Sequence, residues 1–119
     1  MKLYEYQAKE VFKEEGISIP NSVLIQDYDQ LEDALNKVGV PCVVKSQVLS
    51  GGRGKAGLVV FTPTKELAKL EVKRLFDHEL NIKNIMIEEA VNIKQEIYVA
   101  ITVDPVLATG LLMVSIEGG

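Results

Sequence analysis

The sequence predicts an α+β domain, with helices packed on a mixed or antiparallel sheet whose strands are joined in part by local hairpins. Three observations carry that prediction. Apolar residues recur at helical spacing in three segments, short β-branched runs lie between them, and two strand-like runs near the carboxyl end flank the turn Asp104-Pro105.

Leu3, Tyr4, Ala8, Val11 and Phe12 set the first helix, which Gly16 ends. Ser22-Val23-Leu24-Ile25 follows as a short buried strand. Asp29, with Glu32 three residues on, predicts a capping box for the second helix, whose buried stripe is Leu31, Ala34, Leu35 and Val38 and whose stop is Gly39. Pro41 to Lys45 reads as a strand that enters a loop from Leu49 to Gly57, and Leu58 to Phe61 reads as the strand leaving it. Thr62-Pro63-Thr64 offers a third helix start with Pro63 in the first turn, where its missing N–H costs nothing. Ala68, Val72, Leu75 and Phe76 form the stripe of that helix. Asn84 to Glu88 is a further strand. From Glu96 to Val103 the chain alternates, with Ile97, Val99, Ile101 and Val103 on one face and Glu96, Tyr98, Ala100 and Thr102 on the other. Leu111 to Ile116 is the returning strand, and Gly118-Gly119 follows it without a closing element, so a boundary cut through a longer domain is expected there.

Composition narrows the class. The 119 residues are 47% hydrophobic and carry a formal charge of −4, as in ordinary globular chains. A net negative chain lacks the clustered Lys and Arg of a general nucleic-acid surface, and no apolar run approaches the roughly 20 residues that cross a bilayer. The opening MKLYEYQAKEVFKEEG is too charged for a secretory signal. Cys42 is the single cysteine, which excludes an intrachain disulfide and fits a reducing compartment, either cytoplasm or an organelle matrix.

The loop is the informative feature. Gly51, Gly52, Gly54 and Gly57 cost backbone entropy and bring no packing, which makes sense where phosphate must approach bare N–H groups. Arg53 and Lys55 add charge within the loop, and Lys45 stands at the end of the preceding strand. A plain hairpin turn of roughly two to five residues needs only one or two glycines. Gly52 to Gly57 satisfies G-x-G-x-x-G, but a dinucleotide fold would open a helix here and this chain opens a β-branched run. A Walker A loop fails at Leu49 and Ala56, and a kinase loop lacks its downstream lysine. What survives is a phosphate cover between two strands with its lysine upstream.

Glu88 and Glu89 end one strand and Glu96 begins another, so if these strands pair, carboxylates flank the same cleft as the loop. Glu96 is the stronger candidate of the strand start, because it shares a face with Ala100 and Thr102. His78 reads as a surface helix end, since no nucleophile and carboxylate set accompanies it, and no metal-ligand constellation or catalytic residue is visible.

Taken in order, MKLYEYQAKEVFKEEGI, VVKSQVLSGGRGKAG, IMIEEAVNIKQEIYVAITVD and SIEGG resemble the start of the succinate–CoA ligase β-subunit family, a branch of the ATP-grasp group. The likeness spans essentially the whole chain. It implies an ATP-grasp fold and makes residues 1–119 the amino-terminal part of such a domain, truncated at its carboxyl end. It implies that Lys45 contacts nucleotide phosphates and that Gly52, Arg53 and Gly54 form the phosphate cover. Glu88, Val91 and Glu96 would line the nucleotide pocket, Val91 through its backbone. Leu49 and Ser50 depart from the histidine and alanine usual in the family. The implied cofactors are ATP or GTP and Mg2+, whose ligands belong to a later segment. The implied partner is a CoA-binding α subunit carrying the phosphorylated histidine, a residue that His78 does not match. The implied reaction is the reversible conversion of succinyl-CoA, NDP and phosphate to succinate, CoA and NTP, a step of the tricarboxylic acid cycle. Malate–CoA ligase and a noncatalytic nucleotide-binding module are the alternatives.

Overall fold

The computed structural model describes residues 1–49, 53–54 and 56–118; Ser50, Gly51, Gly52, Lys55 and Gly119 lie outside the described residues. The elements run α1 (Glu5–Glu14), β1 (Ser22–Ile25), a 3-10 turn (Tyr28–Gln30), α2 (Leu31–Val38), β2 (Cys42–Ser46), β3 (Val59–Thr62), α3 (Lys65–Phe76), β4 (Ile85–Glu89), β5 (Tyr98–Asp104) and β6 (Thr109–Ser115). Four strands make one sheet in the order β1-β4-β2-β3, and β5 and β6 make a separate two-stranded ribbon. All pairings are antiparallel.

Alternation in the strands divides the sheet into two faces. Ile25, Cys42, Val44, Ile85 and Ile87 point to one side, where Leu31, Ala34 and Leu35 of α2 and Ala68, Val72 and Leu75 of α3 close the core. α2 lies over β1 and β4, and α3 lies over β2 and β3. Leu24, Val43, Lys45, Met86 and Glu88 occupy the opposite face by register. That face receives α1, which buries no residue fully and leaves Val11 and Phe12 exposed; Leu3, expected in the helix, is exposed ahead of it, because Tyr4 is the N-cap.

Helix ends follow local chemistry. Gly16 has φ +80°, and the Ile17 and Gly16 N–H groups return to the Phe12 and Lys13 carbonyls at 2.9 and 3.1 Å, so a Schellman closure ends α1. Thr64 caps α3 by accepting the Leu67 N–H at 3.2 Å. Pro63 therefore sits one residue ahead of the cap rather than in the first turn. The capping box expected from Asp29 does not form. Asp29 lies within the 3-10 turn, and Gln30, without a side-chain cap bond, leads directly into α2. The tighter turn already supplies bonds for the entering backbone, so the side chain has no capping role to fill.

The ribbon also differs from its sequence reading. β5 begins at Tyr98, not Glu96, because its ladder starts at the Tyr98–Ser115 pair and the chain beyond Ser115 leaves β6 in a turn at Ile116 and Glu117. β4 pairs with β1 and β2, so the strands carrying Glu88 and Glu96 do not pair with each other. Asp104 Oδ1 accepts the Val106 and Leu107 N–H groups at 2.8 and 3.0 Å, fixing the turn at Asp104-Pro105. No helix among the described residues is long and apolar enough to cross a membrane.

Candidate nucleotide site on the open face of the sheet

Lys45 faces away from the core at the end of β2, opposite Met86. Glu88 lies two residues further along β4 on the same face, a diagonal neighbour within reach of a long side chain. The Lys45 ammonium donates to Glu88 Oε1 at 2.7 Å and to Glu5 Oε1 of α1 at 3.0 Å. Lys9, one turn after Glu5, donates to the other oxygen of Glu88. Glu88 is only 5% exposed, and a carboxylate so buried requires these two cations. Burial alone would lower the affinity of Lys45 for its proton, but the bonds and charges of Glu88 and Glu5 outweigh it and hold the ammonium above its ordinary range.

The glycine-rich turn is tied to the same cluster. Arg53 donates to Glu5 Oε2 at 2.5 Å and to the Ser46 carbonyl at 3.0 Å. The turn closes through Leu58 N–H to the Arg53 carbonyl at 2.8 Å and Gly57 N–H to the Gly54 carbonyl at 3.2 Å. From the core side, Arg74 of α3 donates to the Gly57 carbonyl at 2.6 Å, and Gly57 takes a φ of +69° that favours glycine. Burial pushes the Glu5 carboxyl up, yet Lys45 and Arg53 together bring it below its ordinary range. The Tyr6 N–H, an orphan donor in the first turn of α1, is satisfied by Gln47 Oε1 at 3.0 Å. A cavity of about 330 Å³ lies between α1 and β1, with Lys9, Lys13, Leu24 and Met86 in its lining.

Of the residues expected at the site, Lys45, Arg53 and Glu88 come together, and Gly54 lies in the turn beside Arg53. Gly52 falls outside the described residues. Val91 is exposed just beyond β4, in the segment that leads to the ribbon. Glu96 is exposed before β5 and lies against Gly118, where an added Cβ would meet its Oε2 at 3.0 Å. Neither is part of the ion-pair cluster. Sequence reasoning missed Glu5, Lys9 and Gln47. The one available signal was the Glu5 and Lys9 spacing, and an i, i+4 charge pair occurs on many solvated helix faces. His78 lies past the end of α3, where its Nδ1 accepts the Leu80 N–H at 3.1 Å. Cys42 is buried against Thr62, and burial pushes its thiol up. Among the described residues no group of three or more His, Cys, Asp or Glu is gathered to hold a metal ion.

Residues 2–119 match the ATP-grasp domain family. The chain belongs to that family. Over its whole length this ATP-grasp chain is 53% identical to the sulfoacetate–CoA ligase (ADP-forming) subunit SauC of Bilophila wadsworthia, of which it covers 32%. It is 41% identical to the succinate–CoA ligase (ADP-forming) β subunit of Methanocaldococcus jannaschii, again over its whole length and 33% of that relative. The chain thus spans about a third of the curated relatives it matches. Among solved structures, acetyl-coenzyme A synthetase 1 of Candidatus Korarchaeum cryptofilum, in complex with coenzyme A, Ca-AMPCP and HgCl+, superimposes with a TM-score of 0.79. That match has 19% identity and covers 96% of this chain and 53% of the other. The ATP-grasp domain is therefore homologous to ADP-forming acid–CoA ligases of both the sulfoacetate and the succinate type.

Proposed function

We propose that these residues are the first part of the nucleotide-binding wall of an acid–CoA ligase that couples NTP cleavage reversibly to thioester formation. The observation that carries the reading is the Lys45 ammonium, fixed diagonally by Glu88 at the strand end, with Arg53, Gly54 and Gly57 in the turn beside it. A fixed cation and close-approach backbone are what phosphoryl transfer asks of the protein, because its catalysis rests on positioning and charge stabilisation. Lys45 holds phosphate oxygens, Gly52, Arg53 and Gly54 cover them, and Glu88, Val91 and Glu96 line the remainder of the pocket. Mg2+, when bound with the nucleotide, neutralises phosphate charge, and its ligands come from a segment outside this one. The partner is a CoA-binding α subunit that carries the phosphohistidine.

The acid is a short dianion with one carboxylate to activate and a second anionic group. Succinate and malate fit that description, and so does sulfoacetate, the acid named for the relative that is 53% identical. The nucleotide is ADP or GDP in the reverse direction. Coexpression of the full-length protein with its CoA-binding partner, followed by NTP-dependent thioester assays across the three acids, tests the reading. Thioester from one of them is expected, with negligible turnover by residues 1–119 alone. Nucleotide binding with no thioester from any acid would replace the ligase by a noncatalytic nucleotide-binding module.

A further inference from the structure

Glu5 bridges the two cations that the proposed site turns toward phosphate. One carboxylate oxygen takes Lys45 at 3.0 Å and the other takes Arg53 at 2.5 Å, the arrangement that two oxygens of one phosphate group would adopt. The surrounding cluster contains Lys9, Lys45 and Arg53 against Glu5 and Glu88, so one net positive charge remains even with Glu5 in place. Glu88 has Lys9 as a second partner and holds Lys45 from within the sheet. Glu5 instead belongs to α1, a helix with no fully buried residue, attached to the sheet's open face by Glu5, Lys9 and the Tyr6–Gln47 bond. Of the two carboxylates, Glu5 is the one that leaves without opening the sheet.

We propose that Glu5 is an intramolecular placeholder for nucleotide phosphate: it keeps Lys45 and Arg53 paired in the nucleotide-free protein and releases them when phosphate arrives, loosening the first turn of α1. This inference rests on the nucleotide reading of the same site. Glu5 acts through Lys45 and Arg53 and is a positioning residue. Phosphate then gains contacts that Glu5 gives up, so the charge on Glu5 opposes binding in proportion to the ligand's negative charge. A residue that served only to attach α1 would not distinguish charged from uncharged ligands.

The test is ADP and adenosine binding by calorimetry to the full-length protein and to its Glu5→Gln variant, with hydrogen exchange on α1. Removing the competing charge is expected to tighten ADP about fivefold, the scale of one close charge interaction near water, and to leave adenosine unchanged. In the unsubstituted protein, ADP is expected to speed exchange in the first turn of α1, whereas adenosine does not. This second measurement stands even if Glu5→Gln impairs folding. Weaker ADP binding by the variant, equal shifts for ADP and adenosine, or slower α1 exchange with ADP would overturn the placeholder while leaving the nucleotide site intact. Absence of ADP binding to the unsubstituted protein would instead remove the nucleotide reading, and the placeholder with it.

Discussion

Ile87 in β4 and Ile101 in β5 are the same residue type on antiparallel strands, yet the first is fully buried and the second is 80% exposed. β4 has strands on both sides and α2 over one face, so its apolar side chains join Leu35 and other residues in the core. β5 has a single partner strand, and among the described residues Val99, Ile101 and Val103 remain open to solvent, as do Leu112 and Val114 across the ladder. Backbone pairing alone does not make a stable unit. A two-stranded ribbon is marginal in water, and burial against a further layer provides most of the stabilisation. The four-stranded sheet is thus the rigid platform that fixes Lys45 and Glu88, while the ribbon is ordered by its ladder and its Asp104 turn.

Substitutions should separate the two regions by size of effect. Leu35→Ala, which empties a fully buried position between α2 and the sheet, is expected to cost about 3 kcal/mol in urea denaturation. Thr64→Ala removes the cap of α3 on the same platform and should cost about 1 kcal/mol. The Glu5 cluster responds to pH in a defined direction. The Glu5 carboxyl is lowered on folding from its ordinary 4.5, so its stabilisation is complete above that value and fades as pH falls through the lower folded value. The stability gap between the protein and Glu5→Gln should therefore narrow in acid below pH 4.5, measured by denaturation across pH. Lys45, raised on folding, loses its contribution in the opposite direction, as pH rises beyond its ordinary 10.5. Ile101→Thr in the ribbon should have the smallest effect in residues 1–119, within about 0.5 kcal/mol, because Ile101 makes no core contact among the described residues. A loss as large as that of Leu35→Ala would erase the contrast between the regions.

Periodicity made the platform legible. The stripes Leu31, Ala34, Leu35 and Ala68, Val72, Leu75 are core residues, and the strands fall within two residues of their expected bounds. The glycine-rich run and Lys45 were also visible, because an unusual composition and a strand end can be read locally. Register could not be read in the same way. Whether Glu88 meets Lys45 or Glu96 depends on which strand β4 pairs with, and alternation is identical for either partner. α1 was legible as a helix and opaque as a part of the site. Its apolar stripe suggested the packed face, whereas Glu5 and Lys9 on its polar side make the contacts to Lys45, Arg53 and Glu88.

The central claim is that the platform presents Lys45 to nucleotide phosphate. Calorimetric titration of ADP into the full-length protein and its Lys45→Ala variant tests it most directly. Loss of one charge-assisted contact predicts binding weaker by about tenfold or more, with adenosine affinity preserved. Equal ADP affinity in the two proteins would contradict the phosphate role of Lys45 and, with it, the placement of the nucleotide on the open face of the sheet.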